Sequence, residues 1–162
     1  MSTGDISEQV PPLKLAGHWD FRYEYFAGDA ASRFFAELGH GRIMGTVCPQ
    51  CQRTLVPARG FCDACYVETT QWREVGTTGR LETFTILATK FHGLPDPPVV
   101  IGYVTLDGAS TAILNYIQGV PLDDLDAAGQ QLLAQPRVRV RFHPQPQGRI
   151  TDFHFEVTDD PA

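Results

Sequence analysis

Four cysteines are the residues whose type and spacing indicate chemistry. They form two C-x2-C pairs separated by ten residues: Cys48, Cys51, Cys62 and Cys65. In each pair the two-residue gap lets a tight turn bring both sulfurs to one ion, and four thiolates complete a tetrahedron at about 2.3 Å from Zn²⁺. Such a site has no open position for water or substrate. We therefore predict one structural zinc ion.

Paired cysteines have three other common roles. Disulfides are typical of oxidising compartments, whereas residues 1–10 are polar and acidic, unlike a secretory signal. A lone CxxC would suit a thioredoxin-like dithiol, but two pairs at this distance indicate metal. Iron in a rubredoxin-like site stays open as an alternative, because four thiolates also bind iron.

The zinc prediction limits what else the chain does. With all four cysteines bound to metal, no cysteine nucleophile remains. The sequence also lacks the G-x-S-x-G, H-E-x-x-H and P-loop patterns. We therefore expect no catalytic residues in this chain and no activity of the chain alone.

Composition and charge narrow the class of protein further. The chain has 162 residues, of which 43% are hydrophobic and 20% charged, as in soluble globular proteins. No apolar run approaches the roughly 18 residues of a spanning helix, so we expect a cytoplasmic protein with no membrane contact. The net charge of −6 argues against general nucleic-acid binding. Residues 42–80 are the only net-positive stretch, with five basic and three acidic side chains.

The N-terminal part of the chain predicts an arm and a short helix. Residues 1–17 show no apolar period, and residues 18–26 are rich in aromatic side chains that need burial against this fold or a partner. Asp29 is the predicted N-cap of a helix that ends at Gly39. Its apolar members are Phe34, Phe35 and Leu38. Whether this helix docks on its own chain or on another subunit stays open.

The remainder of the chain predicts a mainly β fold. Five strand-like segments follow the cysteines, at residues 81–88, 99–106, 111–117, 137–142 and 150–157. A helix over 122–133, with Asp123, Asp124 and Asp126 in its first turn, separates the third and fourth strands. This is the order of a five-stranded OB barrel. We predict an N-terminal helical segment (1–41), a rubredoxin-like zinc ribbon (42–78) and a C-terminal OB-fold domain (79–162).

The residues around the cysteines resemble those of the DUF35 family over residues 30 to 157. The shared residues are Phe34-Phe35, Cys48-Pro49-x-Cys51, Pro57-x-Arg59, Cys62-x-x-Cys65, Trp72, Gly76 and Gly79-Arg80-Leu81. The resemblance implies an accessory subunit of a thiolase-type acyl-CoA complex (a thiolase, aldolase or acyltransferase). Such a subunit supplies a docking surface and part of the acyl-CoA channel to a thiolase-fold catalytic partner, in a heterotetramer or larger assembly. The aromatic N-terminal segment is similar to the subgroup that acts in aromatic or steroid acyl-CoA degradation.

A shared acyl-CoA site requires cations for the coenzyme A phosphates. The first candidate set is Arg53 and Arg59 on the ribbon with Arg80 at the ribbon–barrel junction, all in the net-positive stretch. The second is the row Arg137, Arg139 and Arg141, which strand alternation places on one face. A solvated strand face is the favoured interpretation of that row, so the first set is preferred.

One alternative from another functional class stays open. A zinc ribbon joined to an OB barrel also suits a protein that binds single-stranded nucleic acid, through cations and aromatic rings on the barrel face. The acidic net charge weighs against it.

Overall fold

The computed structural model describes residues 22–158. In chain order its elements are α1 (Asp29–Gly39), β1 (Met44–Val47), β2 (Thr54–Leu55), β3 (Gln71–Glu74), β4 (Thr78–Leu87), β5 (Val99–Leu106), β6 (Ile113–Gln118), α2 (Leu125–Leu133), β7 (Arg137–Phe142), a 3₁₀ turn (Ile150–Asp152) and β8 (Phe153–Val157). The predicted arm at residues 1–17, and residues 18–21, lie outside the described residues. Within 22–158, no helix is long and apolar enough to cross a membrane.

The first helix packs on its own chain. Phe34 and Leu38, one turn apart on the same helix face, are buried in the main hydrophobic core. The helix contacts β1 and the 3₁₀ turn before β8. The prediction that Asp29 is the N-cap is wrong by one residue. Gly28 holds that position, and Asp29 lies in the first turn, where its negative charge is favourable.

The cysteine region forms a small antiparallel sheet in the order β2-β1-β3. Thr46 at its centre pairs with Leu55 on one side and with Trp72 on the other. The helix α1 also contacts this sheet, since the guanidinium carbon of Arg33 lies 4.4 Å from the centre of the Trp72 ring. This cation–π contact joins the helical segment to the ribbon.

The five predicted barrel strands are confirmed. They close in the order β4-β5-β6-β8-β7, with β7 returning to β4. All pairs are antiparallel except β6–β8. The last predicted strand is shorter than expected, because Ile150–Asp152 forms the 3₁₀ turn before β8. With α2 between β6 and β7, this is the OB topology.

The helix α2 begins later than predicted because of its cap. The carboxylate of Asp124 accepts hydrogen bonds from the backbone N–H groups of Asp126 and Ala127, at 3.0 and 3.1 Å. Asp124 is therefore the N-cap, and the helix starts at Leu125. Ala128 and Leu132 are its buried residues.

The ribbon and the barrel are joined by hydrogen bonds from the β5–β6 loop. Ser110 donates its backbone N–H to the carbonyl of Thr54 at 2.8 Å, and its hydroxyl accepts from the N–H of Thr54 at 3.1 Å. The hydroxyl of Thr111 bonds the N–H and the carbonyl of Val56, at 2.7 and 2.8 Å. These bonds place the β5–β6 loop alongside β2 of the ribbon. The bonded residues are 55 or 56 positions apart in the sequence.

Candidate metal centre and adjoining groove

The four cysteines lie on two turns with the same backbone pattern. The N–H of Cys48 donates to the carbonyl of Arg53, and the N–H of Gln52 donates to the carbonyl of Cys48. In the second turn, Cys62 and Tyr66 make the corresponding bonds, with Val67 in the place of Arg53. The same metal-binding turn therefore occurs twice in the chain.

Each turn contains a left-handed residue immediately after its second cysteine. Gln52 has a φ of 61° and Tyr66 a φ of 56°. Glycine is the residue that adopts this conformation at least cost, and neither turn has one there. The two bends were therefore not predicted from the sequence.

The distances between the sulfurs fit one tetrahedral ion. The four Sγ atoms all lie within 4.8 Å of one another, and those of Cys51 and Cys62 are 3.8 Å apart. A tetrahedron with metal–sulfur bonds of about 2.3 Å has edges of about 3.8 Å. The donor set is the one that zinc prefers in closed structural sites, so the residues present fit one zinc ion.

The fold shifts the pKa values of two of these thiols in opposite directions. The backbone N–H of Cys51 points at the Cys48 sulfur and lowers the pKa of Cys48 to about 6. The pKa of Cys65 rises instead, to about 12, first through its hydrogen bond with the Cys51 sulfur and then through burial. Four thiolates repel one another at this spacing. A divalent ion makes all four stable together.

Two of the predicted cationic residues converge beside this centre. Arg53 Nη1 lies 3.1 Å from one carboxylate oxygen of Asp63, and Arg59 Nη1 lies 3.7 Å from the other. Two guanidinium groups therefore share one carboxylate, next to Cys62. The third predicted residue, Arg80, lies on β4, where its Nη2 donates to Gln135 Oε1 at 3.0 Å.

The second arginine row lies on the outer face of β7, as alternation predicts. Val138 and Val140 are buried, and the arginines that alternate with them are half-buried or exposed. Arg137 binds Asp107, and Arg141 Nε lies 2.6 Å from Glu156 Oε2.

A groove of about 530 Å³ lies where the ribbon meets the barrel. Its walls come from the ribbon segment at Pro57 and Arg59, from β5 and β6, and from the 3₁₀ turn before β8. The residues that line it are Pro57, Arg59, Ile101, Tyr103, Ala112, Ile113, Leu114, Asn115, Tyr116, Ile150 and Thr151. This groove was not predicted from the sequence. Its one signal was the outward apolar and aromatic side chains at Ile101 and Tyr103, which alternate with buried positions along β5.

Fold and metal centre together define the class: a rubredoxin-like zinc ribbon joined to a closed OB barrel. The ribbon at residues 35–70 matches the family model "ChsH2, rubredoxin-like zinc ribbon domain". The following residues, 72–143, match the model "ChsH2, C-terminal OB-fold domain". The chain belongs to the family that joins these two domains, and the zinc prediction and the DUF35 resemblance are confirmed.

Two solved structures have a similar fold. One is a DUF35-family protein of unknown function from Sulfolobus solfataricus, with a TM-score of 0.58 and 21% identity, covering 81% of this chain and 87% of that one. The other is described as an Ltp2-ChsH2(DUF35) aldolase, with a TM-score of 0.59 and 16% identity, covering 78% of this chain and 92% of the other. No curated protein matches the sequence.

Proposed function

We propose that this chain is a non-catalytic accessory subunit of a thiolase-type acyl-CoA complex. Its partner would be a thiolase-fold subunit that supplies the catalytic residues, in a heterotetramer or larger assembly. The chain would provide a docking surface and part of the acyl-CoA channel. The acyl group would be aromatic or steroidal, and the reaction a thiolysis, a retro-aldol cleavage or an acyl transfer.

The observation that carries this proposal is the joint match to both ChsH2 domains, in the same order along the chain. A protein of the same fold is described as part of an Ltp2-ChsH2(DUF35) aldolase. The four cysteines, all within reach of one metal ion, supply no nucleophile. A subunit that contributes surface to a catalytic partner fits these facts better than an independent enzyme.

A second observation supports the docking role. Tyr23, Tyr25 and Phe26 precede α1 without secondary structure, and their exposed fractions are 71%, 78% and 104%. Exposed aromatic side chains grouped in one segment mark protein interaction sites. We propose that this aromatic segment, residues 22–26, packs on the catalytic partner.

The test is purification of the tagged chain from its native host, with identification and assay of the bound protein. We expect a thiolase-fold partner, and acyl-CoA turnover by the complex but not by the chain alone. Turnover by the pure chain, or a bound partner of another fold, would contradict the proposal.

Binding of single-stranded nucleic acid has one observation in its favour. The groove lies on the second and third barrel strands, the face on which OB folds bind oligonucleotides. However, Arg59 is the one cation among the residues that line it, whereas such grooves need several cations along the strand. Fluorescence anisotropy with a labelled oligothymidylate distinguishes the two functions, and we expect no binding.

A further inference from the structure

The groove at the ribbon–barrel junction has the properties of a small-molecule site. Its volume of about 530 Å³ falls within the range of known ligand sites, about 300–1,000 Å³. Apolar and aromatic side chains form most of its lining, and the polar groups are few, as in such sites.

The floor of the groove is an exposed apolar strip on β5 and β6. Tyr103 pairs with Leu114 across these strands, and their exposed fractions are 46% and 44%. A second depression, of about 200 Å³, shares Ile101, Tyr103 and Leu114 with the groove and continues over β4. The strip therefore suits an elongated apolar molecule rather than a compact one.

Hydrogen bonds within the protein hold the part of the groove wall formed by the 3₁₀ turn before β8. Asn115 Nδ2 donates to the carbonyl of Ile150 at 2.9 Å. The buried carboxylate of Asp152 accepts the backbone N–H groups of Gln147 and Arg149, at 2.6 and 2.8 Å. These bonds hold the turn that carries Ile150, so less ordering entropy is lost on binding.

The positive charge of Arg59, at the ribbon end of the groove, favours a ligand with a negative charge. Arg59 lines the groove, and its side chain is 43% exposed. Its carboxylate neighbour, Asp63, is closer to Arg53, at 3.1 Å against 3.7 Å. At 3.7 Å, Asp63 leaves the N–H donors of Arg59 available to an anionic group in the groove.

We propose that this groove binds an elongated apolar organic anion, with its apolar body on Tyr103 and Leu114 and its anionic group at Arg59. The chemical class is an apolar organic acid, and its aromatic or alicyclic ring system follows from the acyl group of the proposed function. The inference deepens the proposed function and rests on it for that ring system, whereas probe binding by the isolated chain tests the site without a catalytic partner.

The test uses two fluorescent probes on the zinc-loaded full chain. The first, 8-anilinonaphthalene-1-sulfonate, is an aromatic anion, and the second, N-phenyl-1-naphthylamine, has similar rings without the charge. We expect the wild type to bind both probes at a single site. Arg59→Gln should weaken binding of the anion about tenfold or more, as for the loss of one charge-assisted hydrogen bond, and change binding of the neutral probe less than twofold.

Leu114→Glu should abolish binding of both probes, because it places a carboxylate on the groove floor. Tyr103→Ser provides a second groove variant that adds no charge, and it should weaken both probes. Leu125→Glu is the matched control, since Leu125 is 38% exposed and lies on α2. Zinc content and circular dichroism verify that each variant is folded.

Three results would overturn the proposal. The first is absence of probe binding by the wild type, and the second is equal binding by the wild type and Leu114→Glu. The third is displacement of the anionic probe by oligothymidylate, which would assign this face to single-stranded nucleic acid.

Discussion

Arg137 donates two parallel hydrogen bonds to the carboxylate of Asp107, from Nη1 to Oδ1 at 2.9 Å and from Nη2 to Oδ2 at 2.5 Å. Arg137 begins β7 and Asp107 follows β5, with β4 between them. The hydroxyl of Thr78, at the start of β4, donates to the same carboxylate at 2.5 Å. One carboxylate thus links three barrel strands where the barrel meets the ribbon.

This pair predicts a pH dependence of stability. The hydrogen bonds that Arg137 donates hold the pKa of Asp107 below its ordinary value of 3.8. A lowered folded-state pKa stabilises the protein above pH 3.8, and this stabilisation is lost as the pH falls through the lowered pKa. Because the pair is partly exposed, its contribution is about 1 kcal/mol or less. Thermal unfolding from pH 7 to pH 2 should show Asp107→Asn less stable at neutral pH and converging with the wild type in acid. A constant difference would contradict this account.

The metal centre predicts about one zinc per chain. Cys48→Ser and Cys62→Ser each remove one ligand, and we expect loss of zinc and unfolding of the ribbon, because in small metal sites the binding energy is largely folding energy. Elemental analysis and circular dichroism measure the two effects. Gln50→Ala, an exposed change within the first cysteine turn, should leave the zinc content unchanged. Wild-type protein purified without stoichiometric zinc would refute the assignment.

Alanine substitutions at two glycines should change the stability of the protein in opposite directions. A Cβ at Gly79 would lie 2.5 Å from the carbonyl oxygen of Thr105 and 2.9 Å from the Cα of Leu106. Since the backbone of β5 must move, Gly79→Ala should destabilise the barrel by about 1–3 kcal/mol. A Cβ at Gly129 in α2 meets nothing within 4 Å, so Gly129→Ala should stabilise by about 0.8–1 kcal/mol. Urea unfolding of both variants measures the two changes in the free energy of unfolding. Equal changes would show that the close approach of Gly79 to β5 does not determine the stability of its variant.

The ribbon arginines predict a kinetic effect in the proposed complex. Arg53→Ala or Arg59→Ala should raise the KM for acyl-CoA roughly tenfold or more while assembly persists, because each removes a charge-assisted hydrogen bond of about 1.5–3 kcal/mol. Arg141→Ala is the control, since that arginine lies on β7 and binds Glu156. Steady-state kinetics with size-exclusion chromatography separates binding from assembly. Unchanged KM values in both ribbon variants would leave these arginines as surface residues.

The aromatic segment predicts an effect on assembly. Replacing Tyr25 and Phe26 by Ser should weaken the complex at least tenfold, since two exposed rings would lose their contact with the partner. The stability of the isolated chain should not change. A truncation with the same purpose must end before Asp29, because α1 places Phe34 and Leu38 in the core. Phe91→Ser, in the loop before β5, is the control. Equal partner affinity of the double variant and the wild type, measured by calorimetry, would remove the segment from the interface.

The sequence by itself determined the features that depend on local spacing. The two-residue gaps between cysteines fix the metal-binding turns, and alternation along 137–142 fixes which β7 side chains point outward. The order of strand-like segments, with one helix between the third and fourth, determined the OB topology. Each turn, strand and helix can be found in the sequence because its signal depends on residues only a few positions apart.

The tertiary structure alone decided how distant segments meet. The hydrogen bonds of Ser110 and Thr111 with the ribbon join residues 55 or 56 positions apart, and no local pattern encodes that distance. The groove exists because this junction brings Arg59 beside β5 and β6. The sequence grouped Arg53, Arg59 and Arg80 by charge. Folding placed the first two on Asp63 and the third beside Gln135, because side-chain neighbours are set by strand pairing and packing rather than by position in the chain.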